Sequence, residues 1–126
     1  MKKVINTTEA PEAIGPYSQA IVTGNLIFVS GQIPLHPFTG ELIKDDITVA
    51  TNLVMENIGA ILAAAKVDYK DIVKTSIFLT NINDFAEVNE VYASYFEDNF
   101  PARETVQVAA LPKGVSVEIS VIAAKP

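Results

Sequence analysis

The sequence predicts an α+β domain in which one β-sheet carries two helices on a single face. Two segments have apolar residues at steps of three and four, as amphipathic helices do, and several shorter runs alternate apolar and polar residues, as strands do. After a short first strand, these elements follow one another as ββαβαββ along 126 residues. Two helices can cover only one face of such a sheet. We therefore expect residues 1–126 to form one domain.

A β-hairpin is predicted near the N-terminus. Residues 4–6 form a candidate first strand, and residues 17–22 and 26–30 are two β-prone runs separated by Gly24-Asn25, a two-residue turn signal. Gly31 follows the second run. It has two open interpretations, a residue that permits a bulge or one that lets a ligand approach the backbone. Residues 33–47 form an irregular loop that holds His36, the single histidine, with no nearby partner for catalysis.

The two helices are predicted at residues 48–66 and from about residue 84 to a point before Pro101. Thr48 or Asp46 is the candidate cap of the first, and Asp84 with Glu87 resembles a capping box in the second. Asn89 lies beside the apolar stripe of the second helix, which is the pattern of a solvated residue. The apolar stripes comprise Leu53, Val54, Ile58, Ile61, Leu62 and Ala65 in the first helix, and Phe85, Val88, Tyr92, Tyr95 and Phe96 in the second.

Three further strands are predicted at residues 73–80, 103–111 and 115–124. The last two are joined at Pro112-Lys113-Gly114 and are expected to pair as antiparallel neighbours, with their valine-rich faces under the helices. The opposite sheet face mixes Phe78, Ile122 and alanines with Thr, Gln and Ser. Such a face is best buried against copies of itself in a symmetric oligomer.

Arg103 and Glu118 are the candidate functional pair, because the strand pattern places them on one sheet face of those two neighbours. Three interpretations stay open: a salt bridge at the sheet edge, two solvated charges, or an arginine that binds an anion beside a carboxylate that handles a proton or water. The planar guanidinium matches a carboxylate with two hydrogen bonds. A glutamate in mid-strand on a partly apolar face is costly without a partner.

Composition excludes several functions. The net charge is −6 and the nine Lys and Arg residues are spread singly, which disfavours nucleic acid as a partner. The chain has no cysteine and one histidine, so neither a thiolate nor a multi-histidine metal site is expected. The sequence has no glycine-rich phosphate-binding loop, so no nucleotide cofactor is expected. The apolar runs fall short of the roughly 20 residues of a membrane span, so we expect a soluble cytoplasmic protein.

Several motifs resemble the Rid family, the YjgF-type reactive-intermediate deaminases, from about residue 5 to residue 124. They are Ala13-Ile14-Gly15-Pro16-Tyr17-Ser18-Gln19, Val29-Ser30-Gly31-Gln32-Ile33-Pro34, Phe85-Ala86-Glu87-Val88-Asn89-Glu90-Val91-Tyr92, Pro101-Ala102-Arg103, Leu111-Pro112-Lys113 and Val117-Glu118-Ile119. The resemblance implies a chorismate-mutase-like mixed sheet and a homotrimer with a central barrel and clefts between subunits.

The resemblance also implies roles for individual residues. Arg103 would bind the substrate carboxylate and Glu118 would hold or activate the attacking water. Ser30 and Gly31 would line the pocket, Gly31 through its backbone. Tyr17 and Asn89 would contribute at or near the subunit boundary.

Two positions next to Arg103 depart from the family pattern. Thr105 stands where many members have a cysteine, so no thiol chemistry is essential, although its backbone would still reach a ligand. Glu104 replaces a small residue, and its strand phase points it away from Arg103.

The implied reaction is hydrolysis of 2-imino acids, such as 2-iminobutanoate and 2-iminopropanoate, to 2-oxo acids and ammonia, with no cofactor and no metal. The alternative is a non-enzymatic regulatory protein that binds small carboxylates on the same trimeric scaffold.

Overall fold

The computed structural model describes all 126 residues, and a single six-stranded sheet organises them. The elements are β1 (Lys2–Ile5), β2 (Ala20–Thr23), β3 (Leu26–Gln32), α1 (Ile47–Ala64), β4 (Ile72–Leu79), α2 (Phe85–Ala93), β5 (Ala102–Gln107) and β6 (Val117–Ala124). The strands lie side by side in the order β1-β2-β3-β6-β4-β5. Only β4 and β5 run parallel, so the sheet is mixed, as expected.

The predicted hairpin is confirmed as β2 and β3. Thr23 pairs with Leu26 across Gly24-Asn25, and Gly24 has a φ of 57°, which the tight turn requires and a residue without Cβ accepts easily. The register of β3 against β6 shifts between Val29 and Gln32. A bulge therefore occupies Ser30-Gly31, one of the two interpretations of this glycine.

The core lies between one sheet face and the helices. Helix α1 begins at an Asp46 cap, whose Oδ1 accepts from the amides of Thr48 and Val49, both at 3.1 Å. Its 18 residues have a mean hydropathy of 1.5, long and apolar enough by composition to cross a membrane. Because its central side chains pack against the sheet and have no solvent-exposed surface, we identify α1 as a core helix. These side chains are Val54, Met55, Ile58, Ile61 and Leu62.

Helix α2 packs against α1 on the same sheet face and is shorter than predicted. It ends at Ala93, and Tyr95 and Phe96 pack against the core beyond its end. The predicted capping box is wrong, because the Asp84 side chain makes no capping hydrogen bond. Residues 82–84 instead form a turn of 3₁₀ helix that enters α2, and Asn81 caps that turn.

The predicted pairing of the last two strands is wrong. Strand β4 lies between them, pairing with β5 in parallel and with β6 antiparallel. The segment between β5 and β6 contains a short 3₁₀ turn at Pro112–Gly114, with Lys113 at a φ of 58°. This segment spans the width of β4 instead of closing a tight hairpin.

The predicted faces of β5 are also reversed. Arg103 and Thr105 pair with Thr75 and Ile77, which are buried on the helix side. Val106 therefore lies on the other face, which no helix covers and which we call the open face. The inner residues of β6 are buried as predicted, namely Val117, Ile119, Val121 and Ala123.

Candidate functional site

Arg103 is held in place by residues of α2. Its Nη1 donates a hydrogen bond of 2.6 Å to Asn89 Oδ1. The guanidinium carbon lies 5.2 Å from the ring centroid of Tyr92 and 5.6 Å from that of Phe85. Both distances are in the range of cation–π attraction. The cation is thus oriented by a hydrogen bond and two rings before any ligand arrives.

No carboxylate of the chain neutralises Arg103. The single ion pair within 4.0 Å joins Lys74 and Glu104, and Arg103 has none. A cavity of about 410 Å³ lies beside it, lined by Asn89, Tyr92, Ala93, Phe100, Pro101 and Arg103. This cavity offers a fixed cation between polar and apolar walls, which suits a small anion.

Glu118 lines a second cavity, of about 590 Å³, on the open side of the sheet. Tyr17, Ser30 and Gly31 line the same cavity, together with apolar side chains that include Ile14, Ile33 and Leu35. The Glu118 side chain is half-buried and forms no hydrogen bond within the chain. Burial raises the pKa of Glu118 above its ordinary value. A carboxylate in this state readily accepts a proton.

The bulge at Ser30-Gly31 makes room for the Glu118 carboxyl. A Cβ on Gly31 would lie 2.8 Å from Glu118 Cδ, closer than non-bonded carbons approach. The Ser30 hydroxyl donates to the Ser18 carbonyl at 2.6 Å, and the Ser30 amide donates to the Gln19 carbonyl at 2.9 Å. These two bonds fix the Tyr17 loop at the cavity edge.

The prediction that Arg103 and Glu118 share one sheet face is wrong. Arg103 pairs with Thr75 on the helix side, whereas Glu118 pairs with Phe78 on the open face. The salt-bridge interpretation of this pair fails for the same reason. One chain thus holds two separate groups of predicted site residues, Arg103 and Asn89 in one cavity and Tyr17, Ser30, Gly31 and Glu118 in the other.

Thr105 and Glu104 differ in their placement. Thr105 lies on the Arg103 side of β5, but it lines neither cavity, and its buried Oγ1 has no hydrogen-bond partner. Glu104 points to the open face, away from Arg103, as predicted. There it pairs with Lys74 at 2.8 Å, and hydrogen bonds from Lys74 and Ser76 lower the pKa of its carboxyl.

Sequence reasoning missed the residues that support the site. Tyr92 and Phe85 were assigned to a buried stripe, although both rings contact the Arg103 guanidinium. Asn57, buried in α1, donates to the Leu35 carbonyl at 3.0 Å and so holds one wall of the Glu118 cavity. The available signal for Asn57 was that a polar residue lies among the apolar residues of a helix, because a buried polar side chain needs hydrogen-bond partners. No group of three His, Cys, Asp or Glu side chains could hold a metal ion.

The fold and these residues define a small-ligand-binding protein of the YjgF type. Residues 7–125 match the family profile described as Endoribonuclease L-PSP, and the chain belongs to this family, the Rid family of the sequence resemblance. It is 54% identical over 125 residues to "RutC family protein PH0854" of Pyrococcus horikoshii, with 99% of each chain covered.

Two further relatives carry more specific names. The chain is 47% identical over 123 residues to the human protein named 2-iminobutanoate/2-iminopropanoate deaminase, covering 98% of this chain and 90% of that one. It is 46% identical to Escherichia coli TdcF, solved with bound serine, with a TM-score of 0.94 and 98% and 99% of the two chains covered.

Proposed function

We propose that this protein hydrolyses 2-imino acids such as 2-iminobutanoate and 2-iminopropanoate, giving 2-oxo acids and ammonia. The observation that carries the proposal is a fixed arginine without a carboxylate partner, in a chain that also holds a partnerless, half-buried glutamate. The first suits the carboxylate of a 2-imino acid and the second suits the proton transfers of its hydrolysis. The name of the human relative supports the same activity.

The complete site would form between copies of the chain. Because the sheet separates Arg103 from Glu118, a small ligand that contacts both must lie between two molecules. The open face supports such an assembly, since Phe28 and Val106 leave 41% and 42% of their surface exposed there. We propose a homotrimer whose open faces line a central barrel, with Arg103 of one subunit beside the Glu118 cavity of the next.

The chemistry asks for little beyond orientation. The substrate enters as the protonated imine with its carboxylate on Arg103. Glu118 takes a proton from water while the oxygen bonds to the imine carbon, and the C=N electron pair moves to nitrogen, which becomes a neutral amino group. Glu118 then gives this proton to the nitrogen. The C–N bond breaks as the new hydroxyl returns its proton to Glu118 and becomes the 2-oxo group, and ammonia leaves. Glu118 finally releases the proton, so the cycle closes.

A coupled assay tests the proposal. A threonine dehydratase supplies 2-iminobutanoate, semicarbazide competes for the imine, and formation of 2-oxobutanoate is followed. The protein should accelerate this formation, and Arg103→Ala should abolish the effect while the far-ultraviolet circular dichroism stays unchanged. Glu90→Ala, an exposed change on α2, is the matched control. Binding of 2-oxobutanoate without any acceleration would favour the carboxylate-binding regulatory alternative.

Nucleic acid cleavage, which the family description names, is not part of the proposal. The chain has a net charge of −6, and the residues around Arg103 are Asn, Tyr, Ala, Phe and Pro. A phosphate backbone needs several cations in one patch.

A further inference from the structure

Arg103 lies on β5, the last strand of the sheet, so its backbone has a neighbouring strand on one side only. Its side chain is long, and a guanidinium without support would sample many rotamers. A carboxylate held by two parallel hydrogen bonds needs the guanidinium in one orientation. The affinity of the site for a carboxylate therefore depends on what fixes the head of this arginine.

Tyr92 is the most deeply buried of the side chains that contact the guanidinium. Its ring centroid lies 5.2 Å from the guanidinium carbon, and only 3% of the residue is exposed, whereas Phe85 is 39% exposed. Cation–π attraction is stronger where water is excluded, so the Tyr92 ring is the firmer of the two supports. It can orient Arg103 only if the ring itself stays in one position.

Thr75 fixes the far end of the Tyr92 ring. The Tyr92 hydroxyl donates to Thr75 Oγ1 at 2.9 Å, and burial raises the pKa of Tyr92, so the hydroxyl keeps its proton at neutral pH. Thr75 has no exposed surface and lies on β4, paired with Arg103 on one side and with Val121 on the other. A β-branched side chain has few rotamers, so Oγ1 is a rigid anchor. Thr75 lines neither cavity and is not placed to touch a ligand there.

Building on the proposed function, we propose that Thr75 is a positioning residue of the carboxylate site and acts through Tyr92. The interior of the sheet holds Thr75, Thr75 holds the Tyr92 hydroxyl, and the Tyr92 ring holds the guanidinium. Loss of the hydroxyl bond releases the ring, and Arg103 then spends part of its time in orientations that cannot form two parallel hydrogen bonds. The effect falls on carboxylate binding and leaves the proton transfers of Glu118 unchanged.

Two single variants test the bond from its two ends. Thr75→Val removes the acceptor and Tyr92→Phe removes the donor, and both substitutions keep the size of the side chain. Each should weaken the binding of 2-oxobutanoate about fivefold in a ligand-observed NMR titration, the size expected for one hydrogen bond. In the coupled deaminase assay, KM should rise by a similar factor while kcat changes by less than about twofold.

Two further single variants are controls. Thr75→Ser keeps a hydroxyl at the same place and should bind 2-oxobutanoate within about twofold of the wild type. Tyr95→Phe is the matched control for Tyr92→Phe, because Tyr95 donates a comparable bond of 2.9 Å to Asn52 Oδ1 but lines neither cavity. Its affinity for 2-oxobutanoate should equal that of the wild type.

The double variant that combines Thr75→Val with Tyr92→Phe separates positioning from stability. Each single change leaves one buried hydroxyl without a partner, whereas the double change leaves none, so its denaturant midpoint should lie closer to that of the wild type than the midpoint of either single variant does. Its affinity for 2-oxobutanoate should stay about fivefold weakened, because the ring is still not held. Recovery of affinity together with stability would show that Thr75 acts only on the fold and would overturn the inference.

The same variants distinguish this inference from the proposed function. Imine hydrolysis by the wild type together with unchanged binding in Thr75→Val and Tyr92→Phe would leave the activity standing and remove the role of Thr75. Weaker binding in both variants without imine hydrolysis by the wild type would support the positioning role and remove the deaminase activity. If Thr75→Val fails to fold, Tyr92→Phe decides, and wild-type affinity in that variant would overturn the inference.

Discussion

Arg103 and Glu118 lie on opposite faces of the same sheet. Arg103 is level with Thr75 under α2, and Glu118 is level with Phe78 on the open face, with β4 between their two strands. Asn89 orients the arginine through a hydrogen bond, and the missing side chain of Gly31 leaves room for the glutamate carboxyl. The arrangement makes shared sites between copies the simplest way to bring both groups to one small ligand.

Mixed oligomers test this arrangement. Arg103→Ala and Glu118→Gln should each be inactive alone, because every site lacks one group. If the two are unfolded together and refolded as a mixture, about one quarter of the sites should combine an intact Arg103 with an intact Glu118 from different chains, and about one quarter of wild-type activity should return. The coupled deaminase assay measures this recovery.

Each variant refolded alone serves as the control for incomplete unfolding. If the site lay within one chain, no combination of these two variants would contain both groups, and the mixture would stay as inactive as its parts.

Asn89 should act through Arg103. Asn89→Ala removes the 2.6 Å hydrogen bond that orients the guanidinium, so we expect KM to rise about tenfold with kcat changed by less than about threefold. Steady-state kinetics checks the split, with the neighbouring exposed change Glu90→Ala as the control. A fall in kcat at unchanged KM would instead assign Asn89 to the reacting atoms.

The elements of the fold were predictable from the sequence, whereas the placement of β5 was not. Apolar periodicity located α1 and β6, and Gly24-Asn25 located the hairpin, because these signals are local. The alternation of β5 reveals which residues share a face but not which face meets the helices. Val106 looked like a core residue, yet it belongs to the open face, where another molecule would bury it.

The candidate site followed the same pattern. Residue types and the family resemblance selected seven residues. The structure places Arg103 and Asn89 in one cavity and Tyr17, Ser30, Gly31 and Glu118 in the other, and it leaves Thr105 outside both. The error in their relation came from the strand order, since β4 is inserted between two strands that are neighbours in sequence. Long-range pairing of this kind has no local signature. The contact of the Tyr92 and Phe85 rings with Arg103 could not be predicted for a similar reason. Both residues belong to an apolar helix stripe, a pattern that by itself indicates only core packing.

Gly31 should be coupled to Glu118. Gly31→Ala would place a Cβ 2.8 Å from Glu118 Cδ, so the carboxyl must move. We expect a loss of about 1–2 kcal/mol in the free energy of unfolding, as for an overpacked site. In a Glu118→Ala background the same change should cost less than about 0.5 kcal/mol, since no carboxyl remains to be displaced. Denaturant titration of the four proteins gives the coupling, and equal costs in both backgrounds would contradict it.

Glu118 should make stability depend on pH in a defined direction. Burial raises the pKa of Glu118 in the folded protein above the ordinary 4.5, so its protonated form favours folding. This contribution is fully present below pH 4.5 and is lost as the pH rises through the raised value. Glu118→Gln should therefore raise Tm at pH 8 and change it little at pH 4. A variant that loses stability at pH 8 would mean that the ionised carboxylate has a stabilising partner.

Thr105→Val should stabilise the isolated chain or leave it unchanged. The buried Oγ1 of Thr105 has no hydrogen-bond partner, so an isosteric methyl removes an uncompensated polar atom, a gain of up to about 1 kcal/mol in the free energy of unfolding. Thr75→Val, on the neighbouring strand, is the matched control. It removes the acceptor of a 2.9 Å bond from the Tyr92 hydroxyl and should cost about 1–3 kcal/mol. Denaturant titration ranks the two variants. A Thr105→Val protein that is less stable than the wild type, or that loses deaminase activity at unchanged stability, would show that the Thr105 hydroxyl has a partner in a neighbouring subunit or in the ligand.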